Sequence, residues 1–174
     1  MSELRTNRIV PRDGLVSGAG VGGGIIQVKS TTKTDTFSTA STSYTDITGL
    51  SVSITPTRSD SKILIFVTVH GVGNTQTQAY FRFMRDSTPI CVGDAAGSRV
   101  QSTLGSIYTN QANETKSCSQ NFLDSPSTTN SVTYKIQTRT QGTGTVFINR
   151  SENDGNGVTA GRMTSTITVM EVSG

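Results

Sequence analysis

His70 is the only histidine in the chain, and its side chain is the one that ordinarily takes up and releases a proton near neutral pH. A serine or cysteine nucleophile would need it as a base, and that base would need a third group to orient it. No spacing in the sequence supplies the third group, so His70, at the end of an apolar run, reads as a structural or solvent-facing residue. Gly18, Gly20 and Gly23 fit the G-x-G-x-x-G pattern that cradles a dinucleotide pyrophosphate. That chemistry requires a strand before the glycines and a helix after them, whereas Ile25-Ile26-Gln27-Val28 is β-like and no lysine completes a phosphate loop. The glycines read as a hinge. Glu152-Asn153-Asp154-Gly155-Asn156-Gly157 has the oxygen-rich texture of a calcium loop, but its twelfth position, Met163, cannot supply the bidentate carboxylate. Asn113-Glu114-Thr115 and Asn149-Arg150-Ser151 match the glycosylation pattern without a secretory signal to give it meaning. No two of the acidic residues stand out as a glycosidase pair. The expectation is a protein with no catalytic residue, no cofactor and no metal.

Charge narrows the partners. Fifteen basic and twelve acidic residues give a net +3 spread along the chain, which lacks the concentrated basic footprint of a nucleic-acid binder. Only Arg5, Arg8 and Arg12 cluster, and Glu3 and Asp13 stand among them. No run approaches the ~20 apolar residues of a membrane span, so membrane insertion is not expected and the chain reads as made in the cytoplasm. Cys91 and Cys118, the two cysteines, are expected as half-buried free thiols.

The elements that would position any site are strands. Hydrophobic residues make up 32% of the chain, leucine is scarce, and Thr, Val, Ile, Tyr and Phe fill the ordered-looking stretches. Leu50, Val52 and Ile54 alternate with Ser51, Ser53 and Thr55, and Val132, Tyr134 and Ile136 alternate with Thr133, Lys135 and Gln137, each a strand with one wet face. Ile63-Leu64-Ile65-Phe66-Val67 is apolar on both faces, which predicts a central strand covered on both sides. Further strands are expected near 36–38, 79–85, 89–92, 117–123, 145–149 and 164–172. The fold class that follows is all-β, an antiparallel, jelly-roll-like β-sandwich with an extended glycine-rich N-terminal arm. The division is an arm over residues 1–28, with Ile9 and Val10 as its apolar contact, and a head over residues 29–174. Residues 98–113 read as a long exposed loop, and Arg99, Tyr108, Asn110 and Asn113 on it are candidates to face a receptor. Tyr44, Tyr80, Phe81, Phe83, Tyr108 and Tyr134 are expected mainly in the core, with a sugar-binding surface as the alternative.

Several phrases resemble structural proteins of tailed bacteriophages of marine bacteria. The opening Met1-Ser2-Glu3-Leu4-Arg5-Thr6-Asn7-Arg8-Ile9-Val10-Pro11, followed by Gly22-Gly23-Gly24-Ile25-Ile26-Gln27-Val28, is similar to the arm that opens tail-fibre-like chains. Asp46-Ile47-Thr48-Gly49-Leu50-Ser51-Val52-Ser53-Ile54-Thr55-Pro56, Met84-Arg85-Asp86-Ser87-Thr88-Pro89-Ile90 and Ile167-Thr168-Val169-Met170-Glu171-Val172 resemble their C-terminal β domain. The resemblance implies a homotrimeric jelly-roll head on the virion surface, with the arm plugged into other virion proteins. Leu4, Arg5, Arg8, Ile9, Val10, Ile25 and Ile26 are the arm residues expected to make that assembly contact. A host surface glycan or protein is the expected outer partner. One departure from the family is that no shaft separates the glycines from the head, which keeps a capsid-decorating role beside that of a tail fibre. A carbohydrate-binding module is the third reading.

Overall fold

The computed structural model describes residues 24–174. The expected arm contacts Leu4, Arg5, Arg8, Ile9 and Val10, the arginine cluster and the glycine pattern up to Gly23 lie outside the described residues.

Eleven strands follow one another: β1 (Ile25–Lys33), β2 (Phe37–Thr39), β3 (Thr45–Ile54), β4 (Lys62–Asn74), β5 (Ala79–Arg85), β6 (Thr88–Ile90), β7 (Leu104–Ile107), β8 (Lys116–Asp124), β9 (Val132–Thr140), β10 (Val146–Ile148) and β11 (Ser165–Val172). No helix occurs among the described residues. The larger sheet runs β1-β11-β4-β10-β2, with β8 along the other side of β4; the smaller runs β3-β9-β5-β6, with β7 also on β5. Every pairing is antiparallel, and the chain changes sheet at most of its longer connections, as a jelly-roll-like sandwich requires.

Period-two alternation decides which side chains meet between the sheets. Ile63, Ile65, Val67 and Val69 of β4 and Ile167 and Val169 of β11 face inward, and Val52, Ile54, Phe81, Phe83, Tyr134 and Ile136 of the smaller sheet face them, all buried. Each such side chain contributes about 1.5–3 kcal/mol by leaving water. Burial of Thr138, Thr140, Ser165 and Glu171 in the same interior shows how a chain with few hydrophobes fills its core.

Three details differ from the expectation. The apolar run on β4 is central but is not covered on both sides: Leu64 is half-buried and Phe66 is 41% exposed on the outer face. Residues 98–113 are not one loop, because Leu104–Ile107 form β7 against β5. Residues 25–28, read as the close of the arm, pair with β11 as the first half of β1, which leaves Ile25 and Ile26 exposed at the sheet edge.

One glycine shapes the larger sheet. Gly71 sits at φ +59 in the bulge where β4 loses register with β8, and a Cβ there would stand 2.9 Å from the Arg150 backbone nitrogen. Beyond the bulge Val72 pairs again with Lys116 of β8, while Gly73 and Asn74 pair with β10.

Candidate functional site

The pairing of β4 and β8 brings His70 beside Ser117, Nδ1 to Oγ 2.7 Å, with both residues exposed. Sequence reasoning did not find Ser117, whose only signal is a pairing across 47 residues. A serine–histidine contact is two parts of a nucleophilic triad, but among the described residues no carboxylate bonds the histidine to orient it. What the pair does in this geometry is link two neighbouring strands beside the β4 bulge.

The four loop candidates separate into two places. Arg99 lies in the turn before β7 and donates to the Ala96 carbonyl of that same turn at 3.2 Å. Tyr108, Asn110 and Asn113 lie after β7, where Glu114 accepts from the Asn110 backbone at 2.6 Å and Asn113 accepts from the Asn153 amide at 2.8 Å. Asn153 belongs to the calcium-like loop. That loop's Asp154 carboxylate is taken by two guanidinium groups, Arg150 at 3.0 Å and Arg162, and the Arg162 contact first of all holds its pKa below the ordinary range. Asn149, in one of the two glycosylation patterns, is fully buried and out of reach of a glycan.

The outer face of the smaller sheet is polar and aromatic. Arg82 stacks over the Tyr44 ring at 4.1 Å, Arg139 stands 5.8 Å from the same ring, and the Tyr44 hydroxyl donates to the Gln101 carbonyl at 2.8 Å. Beside them Arg82 donates to Gln137, and Gln137 and Lys135 both donate to Asp46, so the charges are paired along the sheet. Tyr44, Tyr80 and Tyr108 are half-buried surface residues, whereas Phe81, Phe83 and Tyr134 are core; the expected aromatic core is thus half of the set. Arg82 covers the Tyr44 face on which a sugar ring would stack.

Polar chemistry inside the sandwich is concentrated in three clamps that no motif announces. Asp124 on β8 accepts from Arg85 on β5 at 3.0 Å through both carboxylate oxygens and from the Tyr134 hydroxyl on β9 at 2.7 Å, joining the two sheets. Burial first, and then Asp124, hold the Tyr134 phenol protonated far above its ordinary range. Asn149, at φ 63, donates to the carbonyls of Lys33 and Asp35 at 3.0 and 2.8 Å and accepts from the Ser165 hydroxyl at 2.7 Å. Glu171 on β11 accepts from Gln27 at 2.6 Å and from the backbone and hydroxyl of Thr57 at 2.7 Å each.

Burial alone would push the Glu171 carboxyl up; the Gln27 and Thr57 hydrogen bonds outweigh it, so its folded pKa lies below the model-compound value of 4.5. A depressed carboxylate adds stability above the unfolded pKa that is lost as pH falls through the folded one. Stability is therefore expected to decline below about pH 4.5. Urea denaturation across pH 6 to 3 is the check: Glu171→Gln should be less stable than wild type at pH 6 and should lose the Glu171 share of the acid slope, and an unchanged slope would remove the assignment.

Cys91 and Cys118 are both free, and burial pushes the Cys118 thiol up to about 12, which leaves it protonated and unreactive.

The outer face of the larger sheet differs from all of these. It is open, and a depression of about 290 Å³ lies on it between β4 and β8, bordered by Phe66, Thr68, Ser119 and Asn121.

No protein-family model matches the chain, and no curated protein matches it. Among solved structures, 97% of the chain is similar to 44% of a chain in the structure of infectious bursal disease virus Gx strain, with a TM-score of 0.40 and 14% sequence identity. The chain spans less than half the length of that viral chain.

Proposed function

We propose that this chain is a non-enzymatic structural protein of a tailed-phage virion: a homotrimeric β head, held to the particle by its N-terminal arm and displayed on the surface as a short tail fibre or spike that contacts a host glycan or protein. The observation that carries this reading is where the buried polar side chains are spent. Asp124, Asn149 and Glu171 each satisfy their hydrogen-bonding capacity on groups of the framework, joining strands that are far apart in sequence. Buried networks satisfied in this way rigidify a fold and select one arrangement of it, which is what a display scaffold needs. The arm-like and head-like phrases give this scaffold its virion setting.

The direct run from the glycines into β1, with no intervening shaft, favours capsid decoration as the second reading. Immunogold electron microscopy of particles carrying this chain separates the two. Label confined to the tail is the expected result. Label spread over the head transfers the function to decoration, and particles free of label remove the virion reading altogether.

A further inference from the structure

Asparagine is a thermolabile residue, because the carbon of its side-chain amide lies within reach of the backbone nitrogen of the next residue. A Cβ on that next residue hinders the attack, and glycine has none. Asn156-Gly157 is the one Asn-Gly pair in the sequence. It falls in the connection from β10 to β11, inside a loop closed at its base by the Arg150–Arg162 bridge. The loop clamps its other polar residues. Asn153 donates to Asn113 at 2.8 Å and accepts from the Gly155 backbone nitrogen at 3.1 Å, and Asp154 holds both Arg150 and Arg162. Asn156, by contrast, is exposed, and among the described residues its side chain has no hydrogen-bond partner.

We propose that Asn156 is a site of spontaneous deamidation, a modification that the loop leaves open at this one residue. The Gly157 backbone nitrogen, having lost its proton, attacks Cγ of Asn156; the new N–Cγ bond closes a five-membered imide as the Cγ–Nδ2 bond breaks and ammonia leaves with the proton. Water then adds across one of the two imide C–N bonds, giving aspartate or, when the other bond opens, isoaspartate. Water is the only co-reactant, and nothing is oxidised or reduced. The Gly157 nitrogen donates to the Gly155 carbonyl at 2.9 Å, so the short turn must open before it reacts. No side chain holds that turn shut: a Cβ at Gly157 would meet nothing within 4 Å, and Val158 beside it is fully exposed. Loop backbone with so little packing opens at almost no free-energy cost.

Asp154-Gly155, two residues earlier, supplies the contrast. Cyclisation at an aspartate needs a neutral carboxyl, whereas Arg162 and Arg150 keep the Asp154 carboxyl ionised, and the Gly155 nitrogen already donates to Asn153. The same loop thus protects one glycine-linked side chain and leaves the other free. The product also matters to the loop. Asn156, Asp154 and Arg162 border one depression of about 270 Å³, so a carboxylate at position 156 stands beside Asp154 and competes with it for the exposed Arg162 guanidinium.

Incubation of the full chain at mildly alkaline pH, sampled over weeks and read by peptide mass spectrometry, tests this. Asn156 is expected to convert before Asn113 and Asn153, to give both aspartate and isoaspartate, and to react faster as pH rises, because the attacking nitrogen must lose its proton. Ion exchange should show the formal net charge falling from +3 by one. Gly157→Ala, at a position with open space around it, should fold as wild type does by thermal melting and slow the conversion roughly tenfold by crowding the attack. The rate in the native chain should stay within about tenfold of the rate in urea, since an unpacked loop opens freely. Four results would each overturn the proposal: conversion at Asn156 no faster than at Asn153, a native rate below that limit, aspartate without isoaspartate, or a Gly157→Ala chain that reacts at the wild-type rate.

Discussion

Replacing Asn149 by alanine is expected to lower the unfolding free energy by about 4 kcal/mol, a large share of the 5–15 kcal/mol that holds an ordinary domain together. The side chain is fully buried and works in two directions at once. Its amide nitrogen donates to the carbonyls of Lys33 and Asp35, just where β1 ends, and its oxygen accepts from Ser165 at the start of β11. Ser165 in turn accepts from the backbone of His70, so one amide ties β1, β4 and β11. Truncation orphans two carbonyls and a hydroxyl, each costing about 1 kcal/mol at the low end for a buried unpaired group. The backbone adds to this, because φ is 63 at this position and alanine gives up roughly 1 kcal/mol there relative to glycine or asparagine. Asn149→Gly should therefore recover about 1 kcal/mol of the loss, since it relieves the backbone without restoring the hydrogen bonds. Urea denaturation with linear extrapolation checks both values, and an Asn149→Ala loss under 1 kcal/mol would show that water replaces the amide at no cost.

The same residue shows where a sequence stops being legible. Asn149 sits in a glycosylation pattern and near a strand end, and nothing local separates a surface asparagine from one that closes three strands. Its partners Lys33 and Asp35 lie 116 and 114 residues away, a distance at which only register brings groups together. The strands themselves were readable because one face of each is wet. Val132, Tyr134 and Ile136 alternate with Thr133, Lys135 and Gln137, and β9 buries the first set. The expected strand over residues 79–85 coincides with β5 for the same reason. β7 was not readable: Leu104-Gly105-Ser106-Ile107 has no strand composition, and at Gly105, φ 134, a Cβ would stand 2.9 Å from the Ala79 carbonyl oxygen, a restriction that only the pairing with β5 creates.

The apolar run on β4 was misread for a physical reason that bears on function. A strand apolar on both faces predicts two covers, and the described residues supply one, the smaller sheet. Leu64 and Phe66 stand on the other face, Leu64 between Met170 and Leu123 and Phe66 between Thr168 and Asn121. Hydrophobic pattern records that a face avoids water, without recording whether its own chain or another copy provides the cover. The two outer faces consequently differ: the smaller sheet turns its charge-paired face with Tyr44 and Arg82 to solvent, and the rows of the larger sheet around Leu64 and Phe66 carry no charge.

Removal of the Asp124 carboxylate is expected to be the next most damaging change. Asp124 is 5% exposed and receives both Arg85 and Tyr134, so it bridges β8 of the larger sheet to β5 and β9 of the smaller. Asp124→Ala leaves a guanidinium without its partner and a phenol hydroxyl unpaired in the interior, at a cost of about 3 kcal/mol. Tyr134→Phe removes only one hydrogen bond and should cost about 1 kcal/mol. Because both substitutions break the same contact, a double-mutant cycle should give a coupling of about 1 kcal/mol, and strict additivity would mean that the Asp124–Tyr134 contact contributes nothing in solution. The pair also sets an alkaline limit. With its folded pKa raised above the model-compound value of 10.0, Tyr134 gives stability that is complete below pH 10 and declines as pH rises above it, since the unfolded chain then loses a proton that the folded chain keeps. Phenolate absorbance near 295 nm should accordingly show one phase that appears only as the fold opens, and Tyr134→Phe should remove it; a late phase that persists in Tyr134→Phe would refute the assignment.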